Sequence, residues 1–291
     1  MLAKSIALTE LVQRSRIAIG QTKNSFSNPY GLAELVDVYA GGWIKSANQE
    51  WSQDVSVDSF QLAMLTQAEL ATDRFFRQFE TLKSGLVNRK DPHWDAVTAY
   101  YAAFYATQAL LLLSGSGAVR IPSGGQFEGV LSISSSPSTA AVGQVALTFT
   151  KVRGGSHRIT WNQLVDLLKE ILRAEIDARV ILVGNQLIHE VEKPNLLSDA
   201  RNEINYDMRS SPYTAQAWSS LLLDLQSPTD LEDELARNSQ NRPERRFEVV
   251  LLAAASLSKE LRAEFHGRGG KLDRRQKRAR KDIVSSHSWL L

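Results

Sequence analysis

Two short stretches of the sequence carry polar side chains at spacings that could build a binding site. In the first, Thr98, Tyr101, Tyr105 and Gln108 stand at i, i+3, i+7 and i+10. On an α-helix these four side chains lie within one quarter of the circumference, and the rest of the helix is alanine, leucine and phenylalanine. Their hydroxyls and amide can hydrogen-bond a ligand. They can equally reach solvent or a backbone carbonyl in an ordinary packed helix.

The second stretch is "ARNEINYD", residues 200–207. Arg201 and Asn205 are i,i+4 neighbours on a helix, and so are Asn202 and Tyr206. Asparagine is a poor helix former because its amide competes with the backbone for hydrogen bonds. Two asparagines in adjacent turns therefore indicate that their amides bind a partner. The alternative interpretation is a short helix whose asparagines are exposed to solvent. We expect the polar stripe of the first stretch to face this second one.

The first stretch belongs to a long run with almost no charge. From Trp94 to Val119 the only charged residue is Asp95, which raises the question of a membrane span. A spanning helix needs about 20 predominantly apolar residues. Here the apolar part ends at Leu113, a Ser-Gly-Ser-Gly segment follows, and tyrosines interrupt the run. We therefore expect no membrane span but a buried helix in the bundle of a soluble protein.

Composition excludes several other classes of function. The 291 residues are 43% hydrophobic and 23% charged, with a net charge of +2, as in a soluble globular protein. Cysteine is absent, which excludes disulfides, thiolate metal sites and cysteine nucleophiles and suits a cytoplasmic location. There is no phosphate-binding P-loop, dinucleotide fingerprint or His-Glu-x-x-His motif. We expect no cofactor and no metal site.

Helical periodicity dominates and predicts a mainly α fold. Residues 1–55 are expected to form an N-terminal amphipathic helix and a loop-rich extension, and residues 56–265 an antiparallel helical bundle. The segment of about 117–153 differs, because it is rich in glycine, serine and β-branched residues that alternate with period two. It predicts a β-hairpin or small sheet inserted between two helices. We expect helices at residues 56–85, where Asp58 or Ser56 is the cap and Gly85 the end, and at 93–113. Further helices are expected from about Thr160, as N-cap, to residue 174 and at 174–193, with the continuity of these two left open. Shorter helices are expected at 195–208 and 213–225, and a last one at 243–265.

The chain ends in a basic tail, residues 266–291. From Arg268 to Asp282, eight basic residues stand against two acidic ones, a local charge of +6 that leaves −4 for the rest of the chain. Lys271, Arg274 and Arg275 would suit contact with RNA phosphates, since phosphate binding is mainly electrostatic. The alternative is a solvated or disordered tail, and the tail lacks the interleaved aromatic residues of a single-strand stacking platform.

Three motifs, in this order, resemble the HEPN superfamily of helical-bundle proteins. The segment "AYYAAFYATQALL", residues 99–111, is similar to the family's tyrosine-rich second helix. The segment "GGSHRITWNQL", residues 154–164, resembles the His-containing entry to its third helix, and "ARNEINYD" resembles its Arg-Asn motif. The resemblance covers about residues 60–225. It implies a HEPN-like antiparallel bundle that carries the inserted hairpin or sheet.

The resemblance also implies a function. Many HEPN proteins are metal-independent ribonucleases of toxin or antiviral systems, and they commonly dimerise so that both copies line one cleft. Arg201 and Asn202 match the first two positions of the family's arginine-polar-x-x-x-histidine motif. The arginine would stabilise charge on the scissile phosphate. Tyr206 stands where the histidine is expected, and tyrosine is a poor base at pH 7 because its pKa is near 10. As a catalytic residue it can still donate a proton or hydrogen-bond a phosphate.

The implied site has further members and leaves two functions open. His189 or His157 could supply the missing imidazole from a neighbouring helix, and Asn205, Tyr101 and Tyr105 would contact substrate. The implied partners are RNA, a second copy of the chain, and a nucleotidyltransferase or other defence-system protein. The alternative to an endoribonuclease is a non-catalytic module that binds a partner protein or nucleotide, or a dimerising scaffold.

Overall fold

The computed structural model describes helices and a five-stranded sheet within the following residues. The described residues are 11–14, 31–47, 50–88, 92–121, 129–138, 142–152, 155–173, 175, 177–192, 197, 201–202, 227–236 and 246–267. The fold is mainly α with one small antiparallel sheet, as the periodicity predicts.

Seven helices are labelled here in chain order. They are α1 (Leu32–Val38), α2 (Val57–Asn88), α3 (Pro92–Leu113), α4 (Ser156–Leu172), α5 (Ala178–Glu192), α6 (Pro228–Ala236) and α7 (Arg246–Gly267). The sequence predicted α2, α3, α4, α5 and α7, whereas the short acidic helix α6 was not predicted. Three residues separate α2 from α3, and the two helices pack against each other, so they form an antiparallel pair.

The sheet has five antiparallel strands in the order β1-β2-β5-β4-β3. They are β1 (Ile44–Lys45), β2 (Glu50–Ser56), β3 (Ser116–Ile121), β4 (Gly129–Pro137) and β5 (Gln144–Val152). Strands β3 to β5 are the small sheet predicted between α3 and α4. Strands β1 and β2 come from the segment that we expected to be loop-rich, and β2 pairs with β5 over seven residues. That pairing is antiparallel, with Trp51 opposite Phe149.

One face of the sheet and the helices share a single hydrophobic core. Alternate residues of β4 and β5, Leu131, Ile133, Leu147 and Phe149 among them, are buried. Helix α3 lies at the centre of the bundle because it packs against α2, α7 and α4 and reaches β3 at its C-terminal end. This position explains why α3 is apolar on nearly all sides.

Gly85 lies inside α2 and does not end it, contrary to the prediction. The helix continues to Asn88. A β-carbon at Gly85 would collide with the carboxylate of Asp95, which is buried at the start of α3. Glycine is therefore required by the close approach of the two helices and not by a helix end.

The start of α4 differs from expectation, and the break between α4 and α5 decides a point that the sequence left open. Helix α4 begins at Ser156 after Gly155, so Thr160 is buried within it and donates its hydroxyl to the carbonyl of Ser156 at 3.0 Å. Helices α4 and α5 are separate. Asp177 caps the second one, because its carboxylate accepts hydrogen bonds from the backbone N–H groups of Arg179 and Val180 at 2.9 and 3.2 Å.

The described residues include one helix long and apolar enough to cross a membrane. It is Trp94–Leu113, with a mean hydropathy of 1.3, and 78% of its apolar window is buried inside the protein. Most of this helix is therefore enclosed by other parts of the described chain, which agrees with the expectation of a buried bundle helix.

Several predicted features lie outside the described residues. They include most of the N-terminal helix, of which residues 11–14 are described as helical, and the basic tail. The helical segments predicted around residues 203–226 are also outside. The division of the chain into extension, bundle and tail stays a prediction.

Candidate functional site

The candidate site is built around a hydrogen-bonded chain of three side chains from α3 and α4, of which His157 is half-buried. The hydroxyl of Tyr100 lies 2.9 Å from Nδ1 of His157, and Nε1 of Trp161 donates to the same hydroxyl at 3.4 Å. Tyr100 and Trp161 are both buried. His157 and Trp161 are one helical turn apart on α4, so both reach the same tyrosine.

Aromatic rings fix the position of the His157 imidazole. Its ring stacks on Phe104 with centroids 4.0 Å apart and an interplanar angle of 21°, and it lies parallel to Tyr100 at 5.6 Å. Tyr101 approaches it edge-on at 5.8 Å. Since Tyr100 and Phe104 are one turn apart on α3, a single face of this helix cradles the imidazole.

Burial and, to a smaller extent, the positive charge of Arg201 together lower the pKa of His157 from 6.5 to about 4. Both effects disfavour the imidazolium. The imidazole is therefore neutral at pH 7, unlike an exposed histidine, which is partly protonated near that pH.

A neutral imidazole has one donor nitrogen and one acceptor nitrogen, and Tyr100 already engages Nδ1. If the tyrosine hydroxyl donates to Nδ1, the ring proton is on Nε2, which can donate to a ligand. If Nδ1–H donates to the tyrosine oxygen, Nε2 has a free lone pair and can accept a proton. Within the described part of the chain Nε2 has no hydrogen-bond partner, so in either tautomer it is the nitrogen available to a ligand.

Arg201 brings a positive charge to the same place. Its Nη1 donates to the hydroxyl of Tyr101 at 3.2 Å, and its guanidinium carbon lies 5.6 Å from the centroid of the Tyr100 ring. The second terminal nitrogen donates to the side-chain oxygen of Asn202. Two neighbouring tyrosines therefore orient the guanidinium, one through its hydroxyl and one through its ring face.

One donor of Arg201 stays unused. Its Nε is buried and has no hydrogen-bond partner among the described residues. A buried guanidinium donor without an acceptor costs free energy, and an anionic ligand that reached it would remove that cost. This donor lies on the guanidinium that acts electrostatically on His157.

The polar row continues along α3 to a second arginine. Tyr105 stacks on Tyr101 with centroids 6.5 Å apart and an interplanar angle of 29°. The guanidinium carbon of Arg74, on α2, lies 5.7 Å from the centroid of the Tyr105 ring. Both tyrosines are half-buried and Arg74 is exposed, so this row borders solvent.

The structure brings several of the predicted site residues together. Arg201 contacts Tyr101 and Asn202, and His157 contacts Tyr101. Tyr105 joins them through Tyr101. His189, the other histidine considered for the imidazole, is exposed on α5 and makes none of these contacts. Asn205, Tyr206, Lys271, Arg274 and Arg275 lie outside the described residues.

The two ends of the predicted polar stripe, Thr98 and Gln108, do not hydrogen-bond to the described part of the Arg-Asn segment as Tyr101 does. Thr98 donates its hydroxyl to the carbonyl of Trp94 at 2.7 Å, as in an ordinary helix. Gln108 is half-buried at the opposite end. Only Tyr101 of the stripe is in hydrogen-bonding contact with the described part of the Arg-Asn segment.

Tyr100, Phe104, Trp161 and Arg74 were not predicted as site residues. Tyr100 and Phe104 lie on the apolar side of α3, where an aromatic residue normally indicates core packing. Trp161 stands four residues after His157, and this helical spacing was a usable signal for the shared face. No sequence pattern indicated Arg74 as a site residue, because Tyr105, which it contacts, lies on a different helix.

Among the described residues, no group of three or more histidine, aspartate or glutamate side chains is placed to hold a metal ion. The chemistry of the site is that of a cation, a neutral imidazole and phenolic hydroxyls. Comparison of the chain with protein-family models, curated proteins and solved structures found no match.

Proposed function

We propose that this chain is a HEPN-like protein that acts on RNA, as a metal-independent endoribonuclease. The observation that carries the proposal is the contact of Arg201 with Tyr101 beside the neutral His157. A cation next to a neutral imidazole suits a phosphodiester, because the cation binds the phosphate and the imidazole can exchange a proton with a hydroxyl.

The proposed reaction is attack by an RNA 2′-hydroxyl on the adjacent phosphorus. The imidazole of His157 takes the proton of the 2′-hydroxyl through Nε2 while the new bond from 2′-oxygen to phosphorus forms. The bond from phosphorus to the 5′-oxygen breaks, and the departing 5′-oxygen takes up a proton from water. Arg201 stabilises the negative charge that develops on the phosphate oxygens. The products are a 2′,3′-cyclic phosphate and a 5′-hydroxyl.

His157 in this proposal takes the place of the histidine that the family motif has at the position of Tyr206. The two residues belong to different segments, and the stacking of His157 on Phe104 and its bond to Tyr100 hold the imidazole beside Arg201. The resemblance further leads us to propose a cytoplasmic homodimer in a toxin or antiviral setting. In such a setting the partner would be a nucleotidyltransferase or another defence protein.

Incubation of the purified protein with total RNA tests the proposal. We expect cleavage by the wild type, 2′,3′-cyclic phosphate ends on the products, and loss of cleavage in Arg201→Ala. Arg120→Ala is the matched control, because Arg120 is an exposed arginine on β3. Equal cleavage by wild type and Arg201→Ala, or cleavage by neither, would overturn the ribonuclease assignment.

A second candidate function is binding without cleavage, of a nucleotide or a partner protein. The observation that favours it is the low pKa of His157, about 4, because so weak a base accepts a proton poorly. Size-exclusion chromatography with light scattering, together with analysis of copurified nucleotides, separates the two functions. A dimer with bound nucleotide and no cleavage of RNA would support this second candidate.

A further inference from the structure

We propose that Arg74, Tyr105, Tyr101 and Arg201 together form a stacking site for single-stranded RNA. This row, called here the Arg-Tyr row, would hold two bases on the tyrosine rings and phosphates at the two arginines. The inference rests on the proposed action on RNA and extends it, because it adds a residue of α2 and specifies the form of the substrate.

The geometry of the two tyrosines is suited to successive bases. Tyr101 and Tyr105 are one turn apart on α3, and their ring planes differ by only 29°, so their faces point in nearly the same direction. Both side chains are half-buried, and Tyr105 is held from the side by Phe104, with centroids 5.4 Å apart. A half-buried ring that its neighbours hold in place can stack on a base with little loss of side-chain entropy.

Positive charge lies at each end of the two rings. The guanidinium of Arg74 lies against Tyr105, and Nη1 of Arg201 is bonded to the hydroxyl of Tyr101. Single-stranded nucleic acid is bound by this combination of stacked aromatic side chains and cations that follow the backbone. The unused buried Nε of Arg201 is the second indication of an anionic ligand at this end of the row.

The row selects single strands over duplexes for a physical reason. The faces of bases in a duplex are covered by their neighbours, so a tyrosine can stack only on a base that has been unstacked. Stacking is tolerant of sequence because every base has a π-face. We therefore expect a preference for unpaired RNA with little dependence on base identity.

Fluorescence anisotropy with a short 2′-O-methyl RNA tests the inference, since this probe lacks the hydroxyl needed for cleavage. We expect the wild type to bind the single strand more tightly than the same sequence in a duplex. Tyr105→Leu should weaken single-strand binding about 5- to 100-fold, the range for the loss of one stacked base. Tyr105→Phe should keep the wild-type affinity, because the ring is retained.

Charge is tested with a matched pair of variants on α2. Arg74→Gln should weaken binding and reduce its dependence on salt, because a phosphate contact is lost. Arg77→Gln should do neither, since Arg77 is an exposed arginine three residues further along the same helix. Thermal unfolding of each variant shows whether it is folded.

The outcomes separate this inference from the ribonuclease proposal. If the wild type cleaves RNA but Tyr105→Leu and Arg74→Gln bind the probe as well as the wild type, the Arg-Tyr row is overturned and the cleavage site stands. Binding that depends on Tyr105 and Arg74 without any cleavage of RNA supports the row and overturns the nuclease. Equal affinity for single strand and duplex also overturns the row.

Discussion

The hydroxyl of Tyr100 lies 2.9 Å from Nδ1 of His157, and this contact joins the central helix of the bundle to the first turn of α4. It leaves Nε2 as the nitrogen of this half-buried imidazole that is available to a ligand. The same tyrosine ring lies against the guanidinium of Arg201. Tyr100 is thus the side chain through which the proposed base and the proposed phosphate-binding cation are held together.

The first prediction concerns the protonation of His157. Titration followed by NMR should give this histidine a pKa of about 4, because the ring is buried and Arg201 repels the imidazolium. Arg201→Gln should raise the pKa, though not to 6.5, since burial is the larger cause. Arg120→Gln serves as control and should leave it unchanged. A wild-type pKa near 6.5 would contradict the placement of the ring.

The second prediction concerns stability as a function of pH. The pKa of His157 is about 4 in the folded protein and 6.5 as its unperturbed value, so between these limits the unfolded chain binds a proton that the folded protein does not. The free energy of unfolding therefore falls as pH is lowered from 6.5 toward 4, and this contribution is fully present above 6.5.

Urea unfolding at a series of pH values measures this effect. His157→Gln cannot take up the proton, so its stability should fall less steeply between pH 6.5 and pH 5 than that of the wild type. Identical slopes for the two proteins would contradict a buried neutral histidine, whatever the absolute stability of the variant.

The third prediction concerns the contact between α2 and α3. Replacing glycine by alanine inside a helix ordinarily stabilises it by about 1 kcal/mol. Gly85→Ala should instead destabilise the protein by roughly 1–3 kcal/mol, because the new methyl group would occupy the position of the Asp95 carboxylate. Urea unfolding measures the difference.

Gly41→Ala is the matched control for Gly85→Ala, since a β-carbon at Gly41 meets no atom within 4 Å. We expect its effect to stay within about 0.5 kcal/mol. A stabilised Gly85→Ala variant would show that the two helices do not approach as closely as described.

The helices and strands predicted from neighbouring residues in the sequence were confirmed where the structure describes them, and the features of the fold that depend on contacts between distant segments were missed or wrong. Hydrophobic periodicity is local. The helical period identified α2, α3 and α7, and the period-two alternation identified the sheet between α3 and α4. Strand β2 was not predicted because its partner β5 is about 100 residues away in the chain. Trp51 contacts Phe149 only when these two strands pair. Gly85 was misread for the same reason, since the carboxylate that excludes a side chain belongs to another helix.

The residues of the candidate site also differ in whether the sequence could identify them. Tyr101, Arg201 and His157 were identified from residue types and from the resemblance, and the structure places them in contact. The roles of Tyr100 and Trp161 depend on a hydrogen-bonded chain between two helices, which no local pattern reveals. The contribution of Arg74 depends on the packing of α2 beside α3.

The most direct test of the central claim is a double-mutant cycle on cleavage of a single-stranded RNA under single-turnover conditions. Arg201→Gln and His157→Gln should each slow cleavage by about 10²- to 10³-fold, since each removes one part of a single site. The double variant should be about as slow as the slower single variant, because residues that act as a unit lose their effect together. Losses that multiply in the double variant, or a wild type that cleaves no RNA, would contradict the account.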